Sequence, residues 1–106
     1  MKELQINEET LRDGQQSLWA NRMKTESMLP ICSSLDQAGF SSINVMSGSA
    51  FEACILYLHE DPWERLRLLR KFMPKTDLQI LIRGRSAFGW RRFSDDAIEL
   101  LIQCLQ

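Results

Sequence analysis

Between Glu9 and Ser17 the chain reads Glu9-Thr10-Leu11-Arg12-Asp13-Gly14-Gln15-Gln16-Ser17, which sets an arginine, an acid, a glycine and two amides close together. Such a group can do chemistry. An arginine presents a planar fork that matches a carboxylate, and an acid beside it can ligate a cation or accept a supporting hydrogen bond. The same two residues can also form an Arg12–Asp13 pair that closes a surface turn, and spacing alone leaves both readings open. A second arginine, Arg83, follows the apolar run Leu78-Gln79-Ile80-Leu81-Ile82.

These residues must be held by the elements around them. Leu4, Ile6 and their neighbours predict a short strand that runs into a loop over Thr10–Ser17. From Asn21 to Ala38, Met28, Leu29, Ile31, Cys32 and Leu35 recur at helical spacing, and Gly39 stands where a helix-ending glycine belongs. Pro30 falls inside that pattern and predicts either a kink or a later start. Ser42-Ile43-Asn44-Val45-Met46 predicts a second strand, closed by Ser47-Gly48-Ser49. Phe51 to Leu58 reads as a short helix with Phe51, Cys54, Ile55 and Leu58 on one face.

Asp61-Pro62 starts the next helix, with an acid at the cap and proline in the first turn. Trp63, Leu66, Leu69, Arg70 and Met73 carry it to Pro74. Leu78–Ile82 is apolar enough to predict a strand buried on both faces. Ser94-Asp95-Asp96 caps a last helix bearing Ile98, Leu101, Ile102 and Leu105, with its acids placed well for the helix dipole.

Strand and helix therefore alternate three times, which predicts an α/β fold of parallel strands joined by right-handed crossovers. The polar segments after the strands, at Arg12, Ser47 and Arg83, recur about every 36 residues, a spacing that suits βα units. In such folds ligands bind at the carboxyl ends of the strands. Arg12, Asp13 and Arg83 all fall there, which favours a site for an anionic ligand over unrelated surface charges.

Composition narrows the classes. The 106 residues are 44% hydrophobic and 25% charged with a net charge of −1, the balance of one globular domain. No basic run offers a path for nucleic acid phosphates. No apolar stretch approaches the ~20 residues of a membrane span, and Met1-Lys2-Glu3-Leu4-Gln5 lacks the apolar core of a signal peptide. A cytoplasmic location is expected. The three cysteines Cys32, Cys54 and Cys104 lack C-x-x-C spacing and read as reduced core thiols. Trp63, Phe72 and Trp90 read as packing anchors.

Beyond spacing, Thr10-Leu11-Arg12-Asp13-Gly14-Gln15-Gln16-Ser17-Leu18 followed by Asn21-Arg22-Met23 resembles the opening of the carboxyltransferase domain of biotin-dependent enzymes. That family includes pyruvate carboxylase, the oxaloacetate decarboxylase α subunit and transcarboxylase. The resemblance continues through His59-Glu60-Asp61-Pro62-Trp63-Glu64-Arg65-Leu66, Leu69-Arg70-Lys71, Met73-Pro74 and Leu78–Gly84, nearly the whole chain in order.

The resemblance implies the first three β/α units of a TIM (β/α)8 barrel, so that residues 1–106 form the N-terminal portion of such a domain. It implies a divalent metal (zinc, manganese or cobalt) with Asp13 as a ligand. It also implies biotin on a separate carrier domain, and pyruvate or oxaloacetate as the keto-acid substrate. Arg12 and Gln16 match residues that hold the keto acid, Gly14 and Gln15 lie in the same loop, and Arg83 matches the arginine that pairs with its carboxylate or carbonyl. Asp13 and Arg83 are thus the implied catalytic residues.

The departures from the family pattern are specific. Gln15 stands where members carry histidine, Met46-Ser47-Gly48-Ser49-Ala50 replaces Trp-Gly-Gly-Ala-Thr, Ser86 takes the place of an asparagine, and Glu8-Glu9 stands where Asp-Thr is common. A barrel of this kind needs ~250 residues, and its remaining metal ligands, a modified lysine and two histidines, have no counterparts here. The single histidine, His59, lies before a helix and reads as structural or exposed.

The expectation is a segment of a biotin-dependent carboxyltransferase or decarboxylase, inactive alone. An open apolar sheet face and free strand edges would invite self-association or completion by the rest of a barrel. A non-catalytic truncated piece is the alternative from another class. A metal-dependent aldolase or lyase of the wider barrel superfamily is another, disfavoured by the Glu60–Leu66 block.

Overall fold

The structure, a computed structural model, describes residues 3–87 and 92–106. Its three strands are β1 (Asn7–Glu8), β2 (Ser42–Ser47) and β3 (Asp77–Leu81), and its helices are α1 (Gln15–Trp19), α2 (Thr25–Gln37), α3 (Gly48–Ala53), α4 (Pro62–Phe72) and α5 (Asp95–Leu105). Two wide π-helical turns, Thr10–Gly14 and Cys54–Leu58, precede α1 and follow α3. The strands run parallel in the order β1-β2-β3, so the predicted parallel α/β architecture stands.

Local sequence explains most boundaries. Asp61 accepts a bond from the Trp63 backbone N–H at 2.9 Å, with Pro62 opening α4, and the Ser94 hydroxyl accepts from Ala97 N–H at the start of α5. In α2, Thr25, Met28, Cys32 and Asp36 are buried at helical spacing. Pro30 lies on the exposed side, and the helix runs through it instead of starting later. Gly39 takes φ +87°, the left-handed conformation that ends a helix.

The first strand departs from expectation. Leu4 and Ile6 are exposed, and only Asn7 and Glu8 pair, opposite Ser42 and Ile43. The Thr10–Ser17 segment is helical throughout rather than a loop.

The core lies on one side of the sheet. Ile43 and Val45 of β2 pack with Leu11, Met28, Cys32, Phe51, Leu69 and Met73, and Phe51 meets Trp63 edge-on at 5.2 Å. The opposite face is polar, contrary to the expected apolar one. The Ser42 hydroxyl donates to Asn7 Oδ1 at 2.7 Å, and the Asn7 and Asn44 amides both donate to Glu9 Oε1, at 2.9 and 3.2 Å. Gln79 continues that row in register with Asn44. For the same reason β3 is not buried on both faces: Asp77, Gln79 and Leu81 are exposed, and only Leu78 and Ile80, on the helix side, are partly covered.

Two acids, one buried and one partly covered, tie the crossovers together. The Asp36 carboxylate accepts from the backbone N–H groups of Lys75 and Thr76, at 3.1 and 2.8 Å, and so joins α2 to the entry of β3. Burial alone would raise the Asp36 carboxyl; the bonds from Thr76 and Lys75 outweigh it and hold the group below its usual value. Glu60 pairs with the fully covered Arg65 at 2.8 Å and accepts from the Thr25 hydroxyl at 2.7 Å. Here too burial opposes ionisation, and the Thr25 and Arg65 bonds win, leaving the carboxyl below its usual value.

Other expectations sort unevenly. Cys32 and Cys54 are buried, and burial pushes both thiols up. Cys104, in the last turn of α5 beside the open gap between α4 and β3, is exposed. Ile55 is exposed although Cys54 is not, since the wide turn there breaks α-helical spacing. Trp63 packs as expected, Phe72 is largely exposed, and Trp90 lies outside the described residues. His59 is exposed with φ +53° just after that turn. Among the described residues no helix is long and apolar enough to cross a membrane.

Candidate functional site

The parallel sheet sends the segments after β1, β2 and β3 out of one edge. After β1, three successive backbone N–H groups, of Arg12, Asp13 and Gly14, converge on the Glu9 carbonyl at 3.1, 2.8 and 3.1 Å. Glu8 Oε1 accepts from the Thr10 N–H at 3.0 Å and from the Thr10 hydroxyl. Together these bonds curl the chain back over the strand end. Leu11 is driven into the core, while Arg12 and Asp13 are held at the rim.

Arg12 is the better covered of the two charged residues. Its Nε donates to Glu9 Oε2 at 3.2 Å and its Nη1 lies 3.7 Å from Asp13 Oδ1, with 17% of the arginine side chain exposed against 59% of the aspartate. The Arg12–Asp13 proximity of the turn reading is therefore present, but Glu9 makes the closer contact. Gly14 adopts ordinary right-handed helical angles, and a Cβ there would meet nothing nearer than 3.8 Å.

The two amides diverge. Gln15 is 2% exposed, its Nε2 donating to the Leu11 carbonyl at 2.8 Å and its Oε1 accepting from Met23 N–H at 3.2 Å. It braces the loop from behind, and both ends of its amide are used inside the chain. Gln16 stays near the surface, where its Oε1 accepts from the Ser49 hydroxyl at 3.5 Å. Ser49 in turn accepts from the Asn21 amide at 3.3 Å and lies 3.1 Å from the Ser47 hydroxyl, which caps α3. The Ser49 hydroxyl thus bridges the segments that follow β1 and β2.

Arg83 lies two residues beyond β3, exposed, at the start of a turn in which Ser86 N–H donates to the Arg83 carbonyl at 3.0 Å and Gly84 takes φ +50°. Since β2 separates β1 from β3, the Ser47–Ser49 turn stands between the Arg12 loop and Arg83.

Sequence reading missed Glu9, Asn7, Asn44, Asn21 and Ser49. One signal was available: Asn44 interrupts an otherwise apolar strand, and a polar residue there marks a face that something polar must meet.

These residues do not make a metal centre by themselves. No cluster of three His, Cys, Asp or Glu occurs among the described residues. A divalent ion takes four to six or more donors, and the accessible Asp13 carboxylate can supply one. A hollow of about 580 Å³ between α4, β3 and α5 is floored by Leu66, Leu78 and Ile80 on the helix-covered side. It is a gap between packed elements on the helix-covered side of the sheet, and neither Arg12 nor Arg83 lines it.

Comparison with known proteins gives consistent likenesses. No protein-family model matches the chain. It is 50% identical over 99 residues to a pyruvate carboxylase subunit of Methanocaldococcus jannaschii, covering 93% of this chain and 18% of that protein. It is 43% identical over 101 residues to the methylmalonyl-CoA carboxyltransferase 5S subunit of Propionibacterium freudenreichii subsp. shermanii, covering 95% and 20%. Among solved structures, the carboxyl transferase domain of Rhizobium etli pyruvate carboxylase with pyruvate superposes with a TM-score of 0.89 at 33% identity, covering 97% of this chain and 18% of that one. The chain thus spans about a fifth of the length of the curated relatives it matches.

Proposed function

The chain is related by sequence and by fold to the carboxyltransferase domain of biotin-dependent carboxylases, and from that premise we propose that it supplies one corner of a site moving a carboxyl group between carboxybiotin and pyruvate or oxaloacetate. Residues 1–106 are the opening three β/α units of a (β/α)8 barrel, whose ~250 residues exceed what is present here. The observation that carries this reading is that the Arg12–Asp13 loop and Arg83 leave the same edge of a parallel sheet, where ligands of such folds bind.

In this reading Arg12 and Arg83 neutralise the keto-acid carboxylate and the negative charge that develops on the keto oxygen as the adjacent carbon loses or gains its carboxyl group. Gln16 donates its amide to the same ligand. Gly14 and Gln15 shape the loop, Gln15 from its buried side. Asp13 is one ligand of a divalent ion (zinc, manganese or cobalt) whose other donors come from outside this chain. Biotin arrives on a separate carrier domain, in the cytoplasm. The polar row Asn7, Glu9, Ser42, Asn44 and Gln79 meets the rest of the barrel, whose interior is filled by side chains from all strands. That partner is favoured over self-association through an apolar face, because the open face is polar.

The test is a titration of the isotope-labelled chain with pyruvate, read by NMR, beside an oxaloacetate turnover assay with biotin and manganese. Shifts confined to Arg12, Gln16 and Arg83 without turnover are expected. Shifts centred on Arg67, Arg70 and Lys71 instead would overturn the location, and measurable turnover would overturn the incompleteness.

A further inference from the structure

Glu9 stands where the family's pattern has threonine, yet it touches more of the site loop than any residue the resemblance singles out. Its backbone oxygen collects the three N–H groups of Arg12, Asp13 and Gly14. Its carboxylate works at both ends. Oε2 takes the Nε–H of Arg12 at 3.2 Å, while Oε1 is fixed by the Asn7 and Asn44 amides at 2.9 and 3.2 Å. Asn7 is itself held by the Ser42 hydroxyl at 2.7 Å. The carboxylate is therefore tied to β1 and β2, not left to sample rotamers as an exposed surface partner would.

A guanidinium offers a carboxylate two bidentate edges, Nε with Nη2 and Nη1 with Nη2. Glu9 occupies the Nε end of the first. The Arg12 side chain is mostly covered, so it cannot swing to present either edge at will. We propose that Glu9 is a positioning residue for Arg12: it anchors the guanidinium by Nε and leaves the Nη1–Nη2 edge to receive a single ligand carboxylate. Asp13, whose Oδ1 lies 3.7 Å from Nη1, borders that edge on one side. This assignment rests on the keto-acid reading above and adds how the arginine is aimed.

Arginine side-chain NMR on the purified chain tests it, with Glu9→Ala and Glu9→Gln beside the unchanged protein and pyruvate as the probe. The Arg12 Nε proton is expected to exchange with water about tenfold faster in Glu9→Ala, a loss equivalent to one hydrogen bond. In Glu9→Gln, whose one amide oxygen can accept either from Arg12 Nε or from the Asn7 and Asn44 amides, part of that protection is expected to return. Added pyruvate is expected to shift the Arg12 Nη signals and leave Nε in place, with binding weakened several-fold in Glu9→Ala and partly restored in Glu9→Gln. A merely structural contact would not separate Nη from Nε in this way.

Pyruvate that shifts Nε and releases its proton overturns the proposal, because the ligand then takes the edge assigned to Glu9. Equal Nε protection in the unchanged chain and Glu9→Ala also overturns it, and leaves the keto-acid site standing. Intact protection with a pyruvate response only at residues remote from Arg12 overturns the site itself.

Discussion

Arg65→Met should be among the most damaging single changes in the chain, and its cost can be worked from the contacts. Arg65 is 1% exposed and lies at the junction of α2, α4 and the Ala20–Lys24 turn. Its Nε donates to Thr25 Oγ1 at 2.8 Å, and its Nη2 donates to the Met23 carbonyl at 2.9 Å and to Glu60 Oε2 at 2.8 Å. Removing one partner of a buried ion pair costs about 3–5 kcal/mol. Two features lower that figure. The Glu60 side chain keeps 22% exposure, so water recovers part of its solvation. Arg65 Nη1 is buried without a partner among the described residues, a burden of about 1–3 kcal/mol that disappears with the guanidinium.

Methionine also refills much of the space of the arginine stem. The net expectation is a loss of about 2–3 kcal/mol, a large share of the ~5–15 kcal/mol typical of a folded domain. Urea denaturation followed by far-ultraviolet circular dichroism measures it. Glu60→Gln and the double variant complete a cycle, in which the double change should cost at least about 1 kcal/mol less than the sum of the singles. The Met23 amide should lose exchange protection too, since its carbonyl is held by Arg65 and its N–H by Gln15. A loss under about 1 kcal/mol with additive singles would refute the reasoning.

Three further outcomes are expected. Glu60 and Asp36 are both held below their usual values in the folded chain, so their contribution is complete above the unfolded carboxylate range and is lost as pH falls below about 4; acid unfolding monitored by fluorescence should begin there and shift to higher pH in Asp36→Asn, and an unchanged onset in that variant would contradict it. Gly14→Ala should raise stability by about 0.5–1 kcal/mol, because the site is helical and a Cβ finds ordinary contacts there; a lower thermal midpoint would show that the space is not free. A thiol reagent should label Cys104 rapidly and leave Cys32 and Cys54 until the chain unfolds, since those two are buried with raised thiols; fast labelling of two or three thiols would contradict the core.

By itself, the sequence determined the alternation of strands and helices, the caps at Asp61 and Ser94 and the glycine stop at Gly39, because each rests on local chemistry between residues a few positions apart. It also carried the likeness to carboxyltransferases, through blocks of neighbouring residues. The polarity of the open sheet face was legible at Asn44 and Ser42, which alternate with Ile43 and Val45, but β3 hid it behind an apolar run whose exposed half shows only once β3 is seen as an edge. The two adjacent glutamines read as equals, and only the fold separated them, turning Gln15 inward to Leu11 and Met23 and Gln16 outward to Ser49. Tertiary structure alone decided that Arg12 leans on Glu9 more closely than on Asp13. That choice depends on Asn44, 35 residues away, swinging its amide beneath the Glu9 carboxylate when β2 pairs with β1, and no local pattern encodes a contact made across two strands.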